Sequence, residues 1–486
     1  MMHTKKMLEL LQEIVGKEFV TTNRFATFAY LEDASNFGGT HAASVVRPGS
    51  TEEVALILSL ANRQRIPVVV RGGGASIYGQ PEGVPGHNLL LDMTRMNNVK
   101  EINPRSMTVT AQAGIIMSKL ELACRKEGFY IFTPFVPNHI VSLGGWMSGV
   151  AGSAGLWKDI ISMTVVLADG TVVTTGGGPG TNRHQPLAYN RTLGGPDFTG
   201  LFTGDGGSFG IKTESTVRIR KYPPLVRAGI MEFATLGNVL AMMERHVQRD
   251  TSFPFDALLV FGAGAMENFA VGTEGVKAFT VQRMAMGYSS DELDCRLAAF
   301  QADAQELGGT SNPALEAMAA AMEASAGTEG DPGMDWMALF NGFGRAAWLP
   351  FTLPREGFAD VYHQLLAWRE ERMRAADERG YRCNATWEFF TVIDQSTIIG
   401  EMDVFFEETH EPGLQAYARD LMRDFQEYAH RLGSIDVYNQ GFMADLNATC
   451  WSPGFRGLFQ TVKTSLDPNN ILNPGLWTDL KKDPEG

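Results

Sequence analysis

Along the first 225 residues, short runs in which apolar and polar positions alternate take turns with longer runs of helical spacing. Leucines and isoleucines over 4–17, with charges between them, predict an amphipathic N-terminal helix. Ser50-Thr-Glu-Glu-Val54 predicts a helix start, Ser50 capping and Glu53 reaching back, with the helix running to Asn62 and packing on a strand at Pro67–Val70. Strands follow at 88–92, 107–111, 163–168 and 213–220, with a helix over 117–127. The order suggests two β–α–β subdomains. From 225 to about 455 the pattern changes: 236–249, 290–307, 357–380 and 414–432 read as helices, and 256–262, 386–394 and 402–407 as strands. The polar interval 324–335 reads as a surface loop. The proline pair after Tyr222 marks a boundary, and the chain returns to its first domain through 458–473. The whole predicts an α+β protein with domains over 1–224 and 225–455 and a C-terminal return over 456–486.

Glycine changes this picture. Arg71-Gly-Gly-Gly-Ala-Ser-Ile-Tyr-Gly79 follows directly on the strand at 67–70. Such a turn can hold a phosphate with main-chain N–H groups, because glycine tolerates positive φ and has no side chain to keep a ligand away. A plain strand-to-turn connection would look similar. Two further clusters, Ser142–Gly155 and Gly204–Ile211, each abut a β-type run, and three together suggest one extended ligand threaded between sheets. The nicotinamide fingerprint is excluded, since its glycines open a helix with an acidic residue about 20 positions on. Here the first loop runs into Pro81–Gly86 and a strand instead.

With Val46-Arg-Pro-Gly-Ser-Thr-Glu-Glu-Val54, Leu143-Gly-Gly145, Leu167-Ala-Asp-Gly170, Gly200–Thr213 and Asp467-Pro-Asn-Asn-Ile-Leu-Asn-Pro-Gly475, the chain resembles the FAD-linked oxidase family with its PCMH-type FAD-binding domain. That family includes glycolate oxidase flavin subunits, D-lactate dehydrogenases, vanillyl-alcohol oxidase and alkyldihydroxyacetonephosphate synthase. The resemblance is dense over 45–222 and 460–477 and thin between them. It implies a two-subdomain FAD-binding domain with an inserted α+β cap that holds the substrate. It also implies that Arg71, Gly72, Gly73, Gly74, Ala75, Ser76, Ile77, Tyr78 and Gly79 wrap the diphosphate. Pro137, His139, Ser142, Leu143, Gly144, Gly145, Ser148, Gly149, Ala151, Gly206, Gly207, Gly210 and Ile211 would line the rest of FAD, with Asn473 joining from the C-terminal segment. His139 could touch the ring or be an ordinary hydrogen-bonded histidine. Relatives that attach FAD covalently use a histidine in the first loop; none stands between Arg71 and Gly79, which points to non-covalent binding.

The resemblance implies transfer of a hydride from a small hydroxy compound to flavin N5, with a cap-domain base removing the proton. Two-hydroxy acids come first by family breadth, and para-substituted phenols or benzylic alcohols second. The histidine-rich metal motif of D-lactate dehydrogenases is absent, so no metal is expected. Tyr438 matches the tyrosine of a Tyr-Arg phenolate pair, but Asn439 replaces the arginine. Candidate substrate contacts are Tyr438, Asn439, Glu388, Arg382 and His410. A packed tyrosine is an equal reading of Tyr438, Glu388 and Asp394 could face solvent, and His410 could belong to a solvated cluster with Glu407, Glu408 and Glu411. Gly144-Gly-Trp146 resembles the non-redox ether-synthase branch, and a flavin-carrying subunit of a larger complex also fits.

Composition narrows the partners. A formal charge of −14 argues against nucleic acid and would attract a cationic electron carrier. With no second redox centre readable, reoxidation points to a separate carrier such as an iron–sulfur protein, an electron-transfer flavoprotein or a cytochrome. Homo-oligomerisation stays open. The four cysteines are spread apart, with no C-x-x-C pair, and are expected as buried free thiols. Neither a secretory leader nor an apolar run of about 20 residues is evident, so the expectation is a cytoplasmic protein that is not integral to a membrane.

Overall fold

The computed structural model describes residues 5–476 apart from 32, 36, 38–41, 78, 80–86, 132–137, 150–155, 193–194, 250–255, 264, 266–276, 326–342, 408–412, 436–440, 444 and 447–449. Most of the loop expected at 324–335 lies outside these. The chain forms two compact units, Met1–Lys221 with Tyr438–Gly486, and Tyr222–Val437. The first division falls beside Pro223 and Pro224. The second falls ahead of the 455/456 border read from the sequence.

The first unit begins with helix α1 (Lys5–Val15), whose Met7, Leu11 and Val15 are buried as the helical spacing requires. Strand β1 (Val20–Thr21), the short α2 (Arg24–Phe28), β2 (Ser44–Val46), α3 (Thr51–Gln64), β3 (Val68–Arg71) and β4 (Leu89–Asp92) follow. Ser50 caps α3 by accepting from Glu53 N–H at 3.2 Å. The Glu53 carboxylate reaches back one residue further than expected, to Gly49 N–H at 2.7 Å. The sheet order is β1-β2-β4-β3, with β2, β4 and β3 parallel. Its apolar strands pack under α1 and α3 in one core, which Ile471 and Leu472 from the far end of the chain complete.

A second sheet contains β5 (Val99–Asn103), β6 (Thr108–Gln112), β8 (Ile160–Val166), β9 (Val172–Thr174) and β10 (Ile211–Arg218), in the order β5-β6-β10-β8-β9. Helix α4 (Met117–Lys126) leads into the short β7 (Phe129–Tyr130), and α5 (Leu143–Ser148) and α6 (Phe198–Leu201) lie in the connections. This corrects the expected β–α–β arrangement: β10 inserts between β6 and β8, and every pairing is antiparallel. The short β11 (Arg220–Lys221) pairs with β7.

The second unit holds β12 (Leu225–Phe233), α7 (Leu236–Gln248), β13 (Asp256–Gly262), β14 (Phe279–Gly287), α8 (Ser290–Glu306), α9 (Pro313–Ser325), β15 (Arg345–Ala347), β16 (Pro350–Pro354), α10 (Phe358–Glu378), β17 (Cys383–Val392), β18 (Thr397–Phe406) and α11 (Leu414–Arg431). The chain then re-enters the first unit, where α12 (Pro453–Leu466) lies. The cap sheet is antiparallel, in the order β12-β14-β13-β17-β18-β15, with β16 also on β18. Alternation sorts its side chains into two faces. One face meets the helices: Phe390 packs on Phe358 and Tyr362 of α10, and Arg283 donates to the Arg296 carbonyl of α8 at 2.6 Å.

Of the four cysteines, one is buried as expected. Cys124 is buried, where burial pushes its thiol up to about 12, and Cys383 is half-buried; Cys295 and Cys450 are exposed. No described helix is long and apolar enough to cross a membrane.

Candidate functional site

The three glycine segments of the first unit meet one another. After β3 the chain turns through Gly72, Gly73 and Gly74, the last at φ +74°. A Cβ on Gly72 would strike the Ser142 hydroxyl, and one on Gly73 the Ile140 carbonyl, so these glycines let the first loop lie directly on the second segment. The turn closes at Gly79, φ +83°, where Ser76 Oγ donates to the Gly79 carbonyl at 2.9 Å. Ala34 N–H donates to the Gly74 carbonyl at 3.0 Å from outside the loop. The N–H groups of Gly73, Gly74, Ala75, Ser76 and Ile77 donate to no described atom. Successive unspent main-chain donors on a glycine turn form a cradle for an anionic oxygen.

The second segment is fixed by its own backbone. Leu143 and Gly144 donate to the carbonyls of Ile115 and Ala113 at 2.8 and 2.7 Å, and Ser142 Oγ caps α5 through Gly145 N–H at 3.1 Å. Gly144 has Ala113 only 3.1 Å from where a Cβ would stand. His139 is exposed. The third segment joins the second at the end of α5: Gly204 N–H donates to Met147 O, and Gly206 N–H to Ser148 O, both at 2.9 Å. Its sharp course uses positive φ at Gly204, Gly206 and Gly207, and the buried Asp205 holds it from within, accepting from Gly207 and Phe209 N–H at 2.9 and 3.2 Å and from Lys212 Nζ. Burial pulls the Lys212 ammonium down, and Asp205 opposes that shift. Gly210 packs its α-carbon against Val165, and Ile211 starts β10 fully inside.

Asn473 closes the triangle. Its side-chain carbonyl accepts from Val70 N–H at 3.0 Å, at the mouth of the first loop, and its amide donates to the Gly206 carbonyl of the third. Behind it, Lys463 Nζ is buried and spends its donors on the Ser208 carbonyl, the Leu472 carbonyl and Asp467 Oδ2, at 2.9, 3.1 and 2.7 Å. Asp467 also accepts from Ile471 and Leu472 N–H. The Lys463–Asp467 support was missed in the sequence, although a lysine four residues before the aspartate of the Asp-Pro-Asn-Asn stretch was a visible signal. Arg71 lies 5.6 Å over the Tyr30 ring, and Tyr30 donates to Asp92 at 2.8 Å, where burial and that carboxylate push its hydroxyl up to about 12.

The residues therefore fit FAD where they are described: glycines allow close approach, the first loop offers free donors, and the three segments share one place. Tyr78, Pro137 and Ala151 lie outside the described residues.

Among the cap candidates, Tyr438, Asn439 and His410 also lie outside. Glu388 does not face solvent: it is buried on the helix side of β17, where Arg369 of α10 holds its carboxylate. Arg382 is exposed just before β17, its carbonyl accepting from Glu407 N–H at 3.0 Å, so the two are not brought together. Asp394 organises the β17–β18 turn by accepting from Ser396 and Thr397 N–H. Sequence reading passed over Glu401 and Asp403 of β18. They share the face opposite the helices, and Asp403 Oδ1 accepts from Leu349 N–H at 2.8 Å. Two carboxyls two residues apart on a strand were a legible signal for a shared face.

Comparison with known proteins agrees with this geometry. Residues 42–176 match the FAD binding domain family. The chain is 30% identical over 230 residues to the glycolate oxidase subunit GlcD of Bacillus subtilis, covering 46% of each protein. It is 25% identical over 244 residues to a D-lactate dehydrogenase of Anaerostipes hadrus, covering 49% of each. It thus spans about half the length of the curated relatives it matches. The fold is shared with 4-ethylphenol oxidase from Gulosibacter chungangensis, with TM-score 0.79 and 21% identity, over 97% of this chain and 96% of that one. The chain carries an FAD binding domain over residues 42–176, and its cofactor is FAD.

Proposed function

We propose that this protein is an FAD-dependent dehydrogenase or oxidase that takes a hydride from a carbon bearing, or conjugated to, a hydroxyl group. The observation that carries the reading is the closed triangle of glycine segments with unspent N–H donors in the first loop. The free donors hold the diphosphate, the Asn473 bridge keeps the first and third segments together, and Asp205 with Lys212 fixes the third loop. Bound FAD supplies a two-electron acceptor. Attachment is non-covalent, since the first loop offers no histidine. Reduced flavin passes its electrons to a separate carrier.

Two-hydroxy acids are the first substrate class, supported by sequence similarity to GlcD and the D-lactate dehydrogenase. A second class, neutral phenols or benzylic alcohols, is favoured by one observation: the cap-sheet face opposite the helices carries Glu232, Glu401 and Asp403 beside Phe261, Trp387 and Phe389. Acidic groups repel a substrate carboxylate, and aromatic walls suit a ring. Anaerobic mixing with glycolate, both lactate enantiomers, 4-ethylphenol and vanillyl alcohol separates the classes by which compound bleaches the flavin. Reduction by none, with dithionite still able to bleach it, would overturn the oxidoreductase reading. Acid precipitation should leave all colour in the supernatant; a yellow pellet would contradict non-covalent binding.

A further inference from the structure

Strand β12 stands at one end of the cap sheet, with β14 its neighbour on the inner side. On an antiparallel ladder, successive residues turn their main-chain groups to opposite sides. Ala228 N–H donates outward, to Glu323 Oε1 of α9 at 2.7 Å. Glu232 and Thr310 exchange two outward hydrogen bonds, at 2.8 and 3.1 Å. Ile230 lies midway between these two closures and so faces outward as well. Its N–H and C=O, like the C=O of Ala228, meet no described partner. Both residues are buried. Buried main-chain groups left unpaired cost free energy, and a strand edge that carries them is a template for another strand.

The gap opens into a groove of about 590 Å³, floored by Ala228–Met231 and walled by α8 and α9. Its walls are short where a main chain would enter: Gly309, Ala319 and Ala320 carry little or no side chain. Its charge has one sign. Glu316 and Glu323 line it and no lysine or arginine does. Glu316 is exposed and its carboxylate meets no described partner, while Glu323 has spent one oxygen on Ala228. The nearest cation along β12, Arg227, is committed elsewhere, donating to Asp294, to Ser290 and to the Val226 carbonyl at 2.6, 2.9 and 3.0 Å.

We propose that this groove receives an extended, lysine- or arginine-bearing segment of a partner protein. One residue of the segment pairs its N–H and C=O with those of Ile230 as an added strand, and a neighbouring cation meets Glu316 and Glu323. Main-chain pairing supplies the register, and the two carboxylates select a basic sequence over an acidic one. The spacing favours a peptide, since a donor and an acceptor on one residue are matched by the acceptor and donor of another. Every residue of the groove belongs to the second unit, so occupancy does not depend on the flavin reading.

The test is calorimetric titration of the full-length, flavin-loaded protein with the peptide acetyl-Ala-Lys-Ala-Lys-Ala-amide, alongside hydrogen exchange of β12. Two control peptides carry glutamate in place of lysine, or an N-methyl group on every residue. Glu316→Lys and Ala320→Trp change exposed helix positions, the second filling the groove, and circular dichroism checks that both variants fold. The expected result is saturable one-to-one binding of the lysine peptide, with slowed exchange over 225–233. Binding should be at least ~10-fold weaker for either control peptide and for Glu316→Lys, and lost in Ala320→Trp. Absence of saturable binding would overturn the proposal. So would equal affinity for the N-methylated or the glutamate peptide, unchanged binding by Ala320→Trp, or unaltered exchange of β12. None of these outcomes bears on whether a hydroxy compound bleaches the flavin.

Discussion

Lys463 is a buried ammonium whose donors are taken by two carbonyls and Asp467. Removing one partner of such a pair leaves the other charged and dry, which costs about 3–5 kcal/mol. Lys463→Met should lower the unfolding free energy by that order and release flavin, as measured by urea unfolding and absorbance; an unchanged midpoint would contradict the arrangement. Gly74→Val should lose flavin while retaining fold, because a branched side chain at φ +74° is strained beside the Arg71 guanidinium. Glu401 bears on stability. Its folded value of about 7 stands above the ordinary 4.5, so its contribution favours folding at low pH and is lost as pH rises through about 7. Glu401→Gln should therefore raise the thermal midpoint at pH 8 and lose that advantage toward pH 4.5.

Helices were legible because each carries its own signals. Ser50, Thr235 and Ser289 all cap as their chemistry dictates, and Ser50→Ala should cost about 1 kcal/mol in chemical denaturation. The glycine segments were legible too, since a missing Cβ is written in the chain. Strand partners were not: β6 and β10 pair Ala111 with Ser215, and nothing local to either announces the other. The same limit hid the carboxyl pair. Glu388 and Glu401 both sit in alternating strands, and only the sheet shows that one meets Arg369 and the other meets Asp403.

Over the whole molecule, a charge of −14 should steer cationic electron acceptors. Reoxidation of the reduced flavin by a basic cytochrome should slow as ionic strength rises, and reoxidation by ferricyanide should not; the opposite pattern in stopped flow would exclude steering. The Asn473 bridge has a consequence for biosynthesis. Residues 467–476 leave the ribosome after the entire cap, yet they fasten Val70 to Gly206. A nascent chain can assemble its first sheet early, but it cannot complete the nucleotide clasp until translation has passed Asn473, so cofactor capture waits until the whole cap has been made.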